Sequence, residues 1–191
     1  MIALRHIAEA RSILAFGGII AYPTEAVFGL GCNPFNQQAV NRLLALKQRP
    51  WQKGLILVVS DLQQLPELKN VLTPSELETL NHSWPGPITW LLPDRQRQIP
   101  DWIKGEHNTV AVRLSAHPVV QQLCNAWGGP IVSTSANQTS QEPARTALQV
   151  RCRVQAGLMQ APDYIIPGTT GGLNSPTVIK DLVSDRIVRT G

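Results

Sequence analysis

The sequence is short of the residues and motifs that mark several common functional classes. It has only three cysteines, Cys32, Cys124 and Cys152, odd in number, far apart, and without a C-x-x-C pair or a histidine at metal-ligand spacing. That leaves no disulfide framework and no zinc site to build from, and free cysteine is normally buried and inert, so all three are expected to be packing residues in a reducing compartment. The four histidines, His6, His82, His107 and His117, form neither H-x-x-x-H nor H-E-x-x-H, which removes the usual zinc hydrolases. There is no G-x-x-x-x-G-K-[ST] loop, Gly29-Leu30-Gly31 does not extend to G-x-G-x-x-G, and G-x-S-x-G is missing. P-loop, dinucleotide-fold and serine-hydrolase chemistry therefore have no support. Apolar runs fall well short of the roughly 18 residues that span a bilayer. Ile13 to Ala21 has the look of a signal-peptide core, but Arg5, Glu9 and Arg11 alternate with Leu4, Ile7 and Leu14 at helical spacing just before it. The segment reads as an amphipathic helix feeding a buried strand, and a cytoplasmic protein is expected.

What the chain does have is an uneven charge distribution. Lysine and arginine number 17 against 13 acidic residues, a formal +4. Residues 1–60 carry +4, 61–110 carry −3 and 111–191 carry +3. A uniformly basic coat would not leave an acidic middle, so the excess points to a localised anion site built from the two ends of the chain.

Apolar runs of four to six residues alternate with helix-period segments, the pattern of an α/β fold. Strands are predicted at Gly18–Tyr22, Leu55–Val59, Ile88–Leu92, Thr109–Leu114, Pro130–Ser133, Tyr164–Ile166, Thr177–Ile179 and Ile187–Arg189. Asn36 is placed to cap a helix through Lys47, Thr73-Pro74-Ser75-Glu76 has capping-box spacing, Pro118 to Trp127 is helical until Gly128-Gly129-Pro130, and a further helix falls near 145–156. No repeat or long linker divides the chain, so one domain over 1–191 with a twisted mixed sheet is expected.

Four segments can carry chemistry, each with a plainer structural reading beside it. Tyr22-Pro23-Thr24-Glu25 with Phe28-Gly29-Leu30-Gly31 puts a hydroxyl and a carboxylate where a strand leaves the sheet, or makes a turn. Lys47-Gln48-Arg49-Pro50 with Lys53-Gly54 is either a phosphate clamp or a basic helix terminus, with Lys53 in the loop after Pro50. Arg113, leaving the strand Thr109-Val110-Ala111-Val112, fits a carboxylate or phosphate fork as well as an internal salt bridge. Ser133-Thr134-Ser135-Ala136-Asn137 offers small donors at a strand end, as ordinary turns also do.

Taken together with Trp84-Pro85-Gly86-Pro87 and Thr89, these segments resemble the YrdC-like family in order and spacing over nearly the whole chain. The resemblance implies an α/β fold with flanking helices around a concave basic cavity. It implies a nucleotidyltransferase that makes L-threonylcarbamoyladenylate and pyrophosphate from L-threonine, bicarbonate or CO2, and ATP. The product would serve N6-threonylcarbamoyladenosine (t6A) modification of tRNA, through a transferase complex that acts downstream.

By the same resemblance Thr24, Arg113 and Ser133 would bind threonine. Lys47, Arg49 and Lys53 would act on the triphosphate as the catalytic cations, and Thr109, Ser135, Asn137 and Arg189 would complete the ATP site, with Ser175 and Thr177 as neighbours. Mg2+ would arrive with ATP, held by phosphates and water, with no protein metal site. Three departures stand out: Gln138 to Pro143 lacks the family's glycine, Val58 stands where some longer members carry a histidine, and the sequence stops where those members continue into a linker and second domain, so no lid of that kind is expected.

Two other readings use the same residues. A non-catalytic RNA-binding or ribosome-maturation factor would exploit the basic concavity, but 5% aromatic content gives few stacking groups. A related carbamoyl-phosphate-using unit of hydrogenase maturation normally sits in a much longer chain. Weak RNA contact and oligomeric state are left open by the sequence.

Overall fold

Alternation along each strand sorts the side chains into two cores, one on each face of a single sheet. The computed structural model describes residues 4–138 and 141–190. Its strands are β1 (Ile20–Pro23), β2 (Phe28–Gly31), β3 (Ile56–Val59), β4 (Ile88–Pro93), β5 (Thr109–Leu114), β6 (Ile131–Ser135), β7 (Tyr164–Ile165), β8 (Val178–Asp181) and β9 (Ile187–Arg189). They form one mixed sheet in the order β7-β1-β2-β6-β3-β5-β4-β8-β9. The β1/β7, β3/β5 and β4/β8 pairs are parallel and the other five are antiparallel.

The larger core lies on the face that carries Leu57, Val59, Trp90, Leu92, Val110, Val112 and Val132. Against it packs α2 (Gln37–Lys47) through Ala39, Val40, Leu43 and Leu44. As the sequence predicts, Asn36 caps this helix by accepting from the Ala39 amide at 3.1 Å. The short α3 (Pro66–Lys69) contributes Leu68. A complete capping box at Thr73 and Glu76 starts α4 (Pro74–Ser83), which adds Leu80 to the same core. Among the described residues, the opposite face is covered by helices at its β1 end. There α1 (Leu4–Ala15) and α6 (Pro118–Trp127) bury Ile7, Leu14, Val120 and Leu123 on Ile20, Tyr22, Val58 and Ile131. Beyond Val58 and Ile131 the same strand faces continue uncovered, and this is where the cavity lies.

Four expectations are corrected. Phe28–Gly31, read as a loop with paired glycines, is strand β2, with Tyr22 opposite Gly29 and Ile20 opposite Gly31. The reason is the Tyr22 ring, which lies across this strand. A Cβ on Gly31 would come 2.8 Å from Tyr22 Cε1, 2.9 Å from Ile131 Cγ2 and closer still to the Val132 carbonyl. Glycine is therefore the side-chain choice that lets tyrosine fill that face. Second, β6 runs on past Ser133 through Thr134 and Ser135, so these two are strand residues rather than a turn. Third, Lys53 closes a 3-10 turn, Trp51–Lys53. Gly54 follows at φ +63°, where a Cβ would sit 2.8 Å from the Lys104 carbonyl, so the turn docks on α5 (Asp101–Lys104) backbone to backbone. Fourth, Cys32 and Cys124 are buried as expected, but Cys152, on α7 (Ala147–Gln155), is exposed.

Candidate active site

The uncovered half of the sheet face carries Gly29 on β2, Ser133 and Ser135 on β6, Ile56 on β3, and Thr109, Ala111 and Arg113 on β5, all placed there by the two-residue strand period. A cavity of about 280 Å³ opens over it, lined by Thr24, Arg49, Arg113, Ser133, Ser135 and Arg189 among others. A second lobe of about 230 Å³ adjoins it, sharing Arg49, Leu55, Ile56 and Arg189 and adding Lys53, Lys104, His107 and Thr109. Among the described residues, the lining of both lobes holds no thiol and no carboxylate.

Thr24, at the mouth of β1, donates its hydroxyl to the Val27 carbonyl at 2.7 Å. Arg49 is aimed by the Gly54 carbonyl, to which Nη2 donates at 2.8 Å and Nε at 3.3 Å. Arg189 donates to the Thr177 carbonyl at 2.7 Å. Burial lowers the pKa of Arg49, and burial followed by the charges of Arg113 and Arg49 lowers that of Arg189. Like charges held this close favour an anion between them. Lys53 is exposed at the rim of the second lobe.

Lys47 and Asn137 are brought together beneath the cavity rather than in its wall. The Lys47 ammonium donates to the Ser135 carbonyl, to the Asn137 carbonyl at 2.7 Å and to Asn137 Oδ1 at 3.1 Å. It is buried, and that burial, with Arg49 repulsion second, pushes its pKa down to about 8. Ser135 Oγ donates to Asn137 Oδ1 at 2.6 Å, and the Asn137 amide in turn donates to the Gln141 carbonyl. Lys47 and Asn137 thus anchor the end of β6 and the segment after it. Of the loop that departs from the family pattern, Thr139 and Ser140 lie outside the described residues, as does Gly191.

Arg113 is buried and meets two partners. Its Nη2 is 3.3 Å from Glu25 Oε2, and its Nη1 donates to Thr177 Oγ1 at 3.2 Å. The sequence shows a carboxylate at Glu25 but no role for it, because nothing local says that β5 will pass beside it. Thr177 is legible as a neighbour only through the family resemblance, whereas Lys104 and His107 give no signal. Val58, at the position of the absent histidine, is fully buried in the smaller core and opposite Arg113 in register.

A sheet face that gathers arginines and hydroxyls over an open cavity defines an α/β protein whose site is suited to an anion. The sequence model of the family described as "Telomere recombination" (Sua5, YciO, YrdC) matches residues 12–191. The chain belongs to this Sua5/YciO/YrdC family. It is 45% identical over 183 residues to a Hahella chejuensis protein named threonylcarbamoyl-AMP synthase, covering 96% of this chain and 97% of that one. It is 48% identical over 175 residues to a Yersinia enterocolitica protein of the same name, covering 91% and 89%. Among solved structures it is similar to P. abyssi Sua5 complexed with L-threonine, at TM-score 0.82 and 29% identity over 96% of this chain. The chain spans about half the length of that Sua5, 53%. Escherichia coli YciO also superposes at TM-score 0.82, with 27% identity over 98% of this chain and 89% of that one.

Proposed function

We propose that this chain is a threonylcarbamoyl-AMP synthase, joining L-threonine, bicarbonate or CO2, and ATP into L-threonylcarbamoyladenylate and pyrophosphate for t6A modification of tRNA. The observation that carries this reading is the two-lobed cavity with Arg113 deep in one lobe, Lys53 at the rim of the other, and Arg49 and Arg189 at their junction. Relatives covered over nearly their whole length bear that enzyme's name.

In the first lobe Arg113 receives the threonine carboxylate, with Thr24 and Ser133 beside it. The amine then combines with CO2 to a carbamate whose oxygen attacks the α-phosphorus of ATP. ATP spans the second lobe, its phosphates among Arg49, Lys53 and Arg189, with Thr109 at its far side and Ser135 on the adjoining wall of the first lobe. No protein nucleophile is needed. Catalysis comes from holding carbamate and α-phosphate in line and from guanidinium donors that meet the charge growing on phosphate and leaving pyrophosphate. Lys47 and Asn137 hold the Ser135 strand end in place for this.

Both lobes offer cations and hydroxyls, and the carboxylates beside them are paired, Glu25 with Arg113, and Asp94 and Asp101 with Lys104. That donor set suits Mg2+ carried in on ATP phosphates and water rather than a protein cage. A downstream transferase complex would take the labile product. An RNA-binding role without catalysis is not favoured, because the cations converge inside a small cavity.

The test is pyrophosphate release by the purified protein with ATP, threonine and bicarbonate, and mass spectrometry for the adenylate. Release that requires threonine and bicarbonate together supports the reading. ATP binding without threonine-dependent turnover overturns it.

A further inference from the structure

Glu25 immediately follows the cavity-lining Thr24, yet its own side chain turns away from the cavity and is buried. A buried carboxylate costs several kcal/mol unless it is paired. Its Oε1 accepts the Ser115 hydroxyl at 2.5 Å, and Ser115 Oγ accepts in turn from the His117 amide at 3.1 Å. The backbone here is pinned as well: the Thr24 carbonyl accepts from the Gly171 amide and the Glu25 carbonyl from the Leu173 amide, each at 3.0 Å.

The pair that Glu25 makes with Arg113 is not the fork-to-fork geometry of a structural salt bridge. Such a bridge sets two carboxylate oxygens on two guanidinium nitrogens. Here one oxygen lies 3.3 Å from Nη2, the other is given to Ser115, and neither Glu25 Oε2 nor Arg113 Nε has a hydrogen-bond partner among the described residues. On the far side, Nη1 is held by Thr177 Oγ1, itself 3.2 Å from Thr89 Oγ1. A guanidinium has five N–H donors; this one is held by a hydrogen bond at Nη1 and an ion pair at Nη2, and its unpartnered Nε is itself buried.

We infer that Glu25 is a positioning residue: locked by Ser115, it fixes the plane of Arg113 so that the cavity-facing part of the guanidinium, rather than its buried Nε, meets the carboxylate of the amino-acid substrate. The inference rests on the reaction proposed above. Glu25 touches neither substrate. It acts through Arg113, so its loss shows in threonine recognition and not in nucleotide recognition.

Steady-state pyrophosphate release by the full chain tests this, with threonine and ATP varied separately. Glu25→Gln keeps the shape and an acceptor for Ser115 but loses the charge that orients Arg113. The KM for threonine is expected to rise about tenfold or more, the scale of one charge-assisted hydrogen bond, while the KM for ATP changes less than about twofold. Ser115→Ala frees Glu25 Oε1 and shifts the threonine KM in the same direction by a smaller factor, and it carries the test if the Gln variant does not fold. An unchanged threonine KM, or threonine and ATP KM rising together, overturns the positioning role. If the wild type is active and the variants match it, only this inference fails. If the wild type shows no threonine-dependent release, the reaction itself fails and takes the inference with it.

Discussion

A reaction that proceeds by positioning needs no activated side chain, and the thiols of this chain are arranged accordingly. Burial pushes Cys32 and Cys124 up to about 12, and the Cys124 thiol is turned onto the Val58 carbonyl at 3.4 Å. A thiol reacts as its thiolate, so at pH 8 both are chemically silent in the folded state. Cys152 is different because its place on α7 faces water. The sequence by itself assigns all three to packing, since the apolar residues around Cys152 are too few and too scattered to say which side of that last helix lies outward. Titration of the native protein with a chromogenic disulfide is expected to find one reactive thiol per chain, and three after denaturation. The singly blocked protein should keep its threonine-dependent turnover within about twofold, since Cys152 lies outside the cavity lining. Loss of activity on blocking it, or three thiols reacting in the native state, would put a cysteine into the mechanism.

Among the elements, most of the fold is legible because periodicity and capping are local. Eight strands and the caps at Asn36 and Thr73 stand where they are expected, to within a residue or two at the ends. Strand β2 is not legible. Its sequence, Phe-Gly-Leu-Gly, reads as a turn because glycine is poor in strands, and only the Tyr22 ring from the neighbouring strand explains it. The candidate site divides in the same way. Arg113 and Ser133 can be placed because they lie on predicted strands, whereas Ser135 falls beyond the predicted strand end and Glu25 cannot be placed, since its partners Arg113 and Ser115 are some ninety residues away.

The two glycines of β2 make separable predictions. Gly31→Ala must drive a methyl against the Val132 carbonyl, the Tyr22 ring and Ile131, two of them core side chains, so a loss of about 2 kcal/mol is expected in urea denaturation. For Gly29→Ala the nearest atoms are Thr24 Cγ2 at 3.3 Å, Ser133 Oγ at 3.4 Å and Tyr22 Cζ at 3.5 Å, none under 3 Å. That neighbourhood is the cavity floor, so its stability should change by less than about 1 kcal/mol, and its threonine KM should rise. Equal stability losses in the two variants would show that β2 tolerates side chains and that the ring packing is not what excludes them.

For the whole molecule, the small positive excess resolves into a division of labour between segments. Lys53 and Arg49 come from the basic first third, Arg113 and Arg189 from the basic last third, and they meet at the cavity, Arg189 reaching it from the edge strand β9. The acidic middle also sends a cation to the second lobe, Lys104, but supplies its counter-charges, with Asp94 Oδ2 at 3.1 Å and Asp101 Oδ1 at 3.4 Å. The charge of Lys104 is thereby paired within the segment that carries it. The net positive field in the cavity therefore rests on Arg49, Lys53 and Arg189, with Arg113 balanced by Glu25, and the two lobes should answer to different substrates. Arg113→Ala is expected to raise the threonine KM at least about tenfold and the ATP KM by less than about threefold. Lys53→Ala, at the exposed rim, should raise the ATP KM a few-fold and leave threonine alone, with a steeper effect at low salt because an exposed charge is screened. Arg49→Ala, at the junction of both lobes, should weaken both. Arg113→Ala acting on ATP and Lys53→Ala on threonine would mean that the ligands occupy the lobes in the opposite sense.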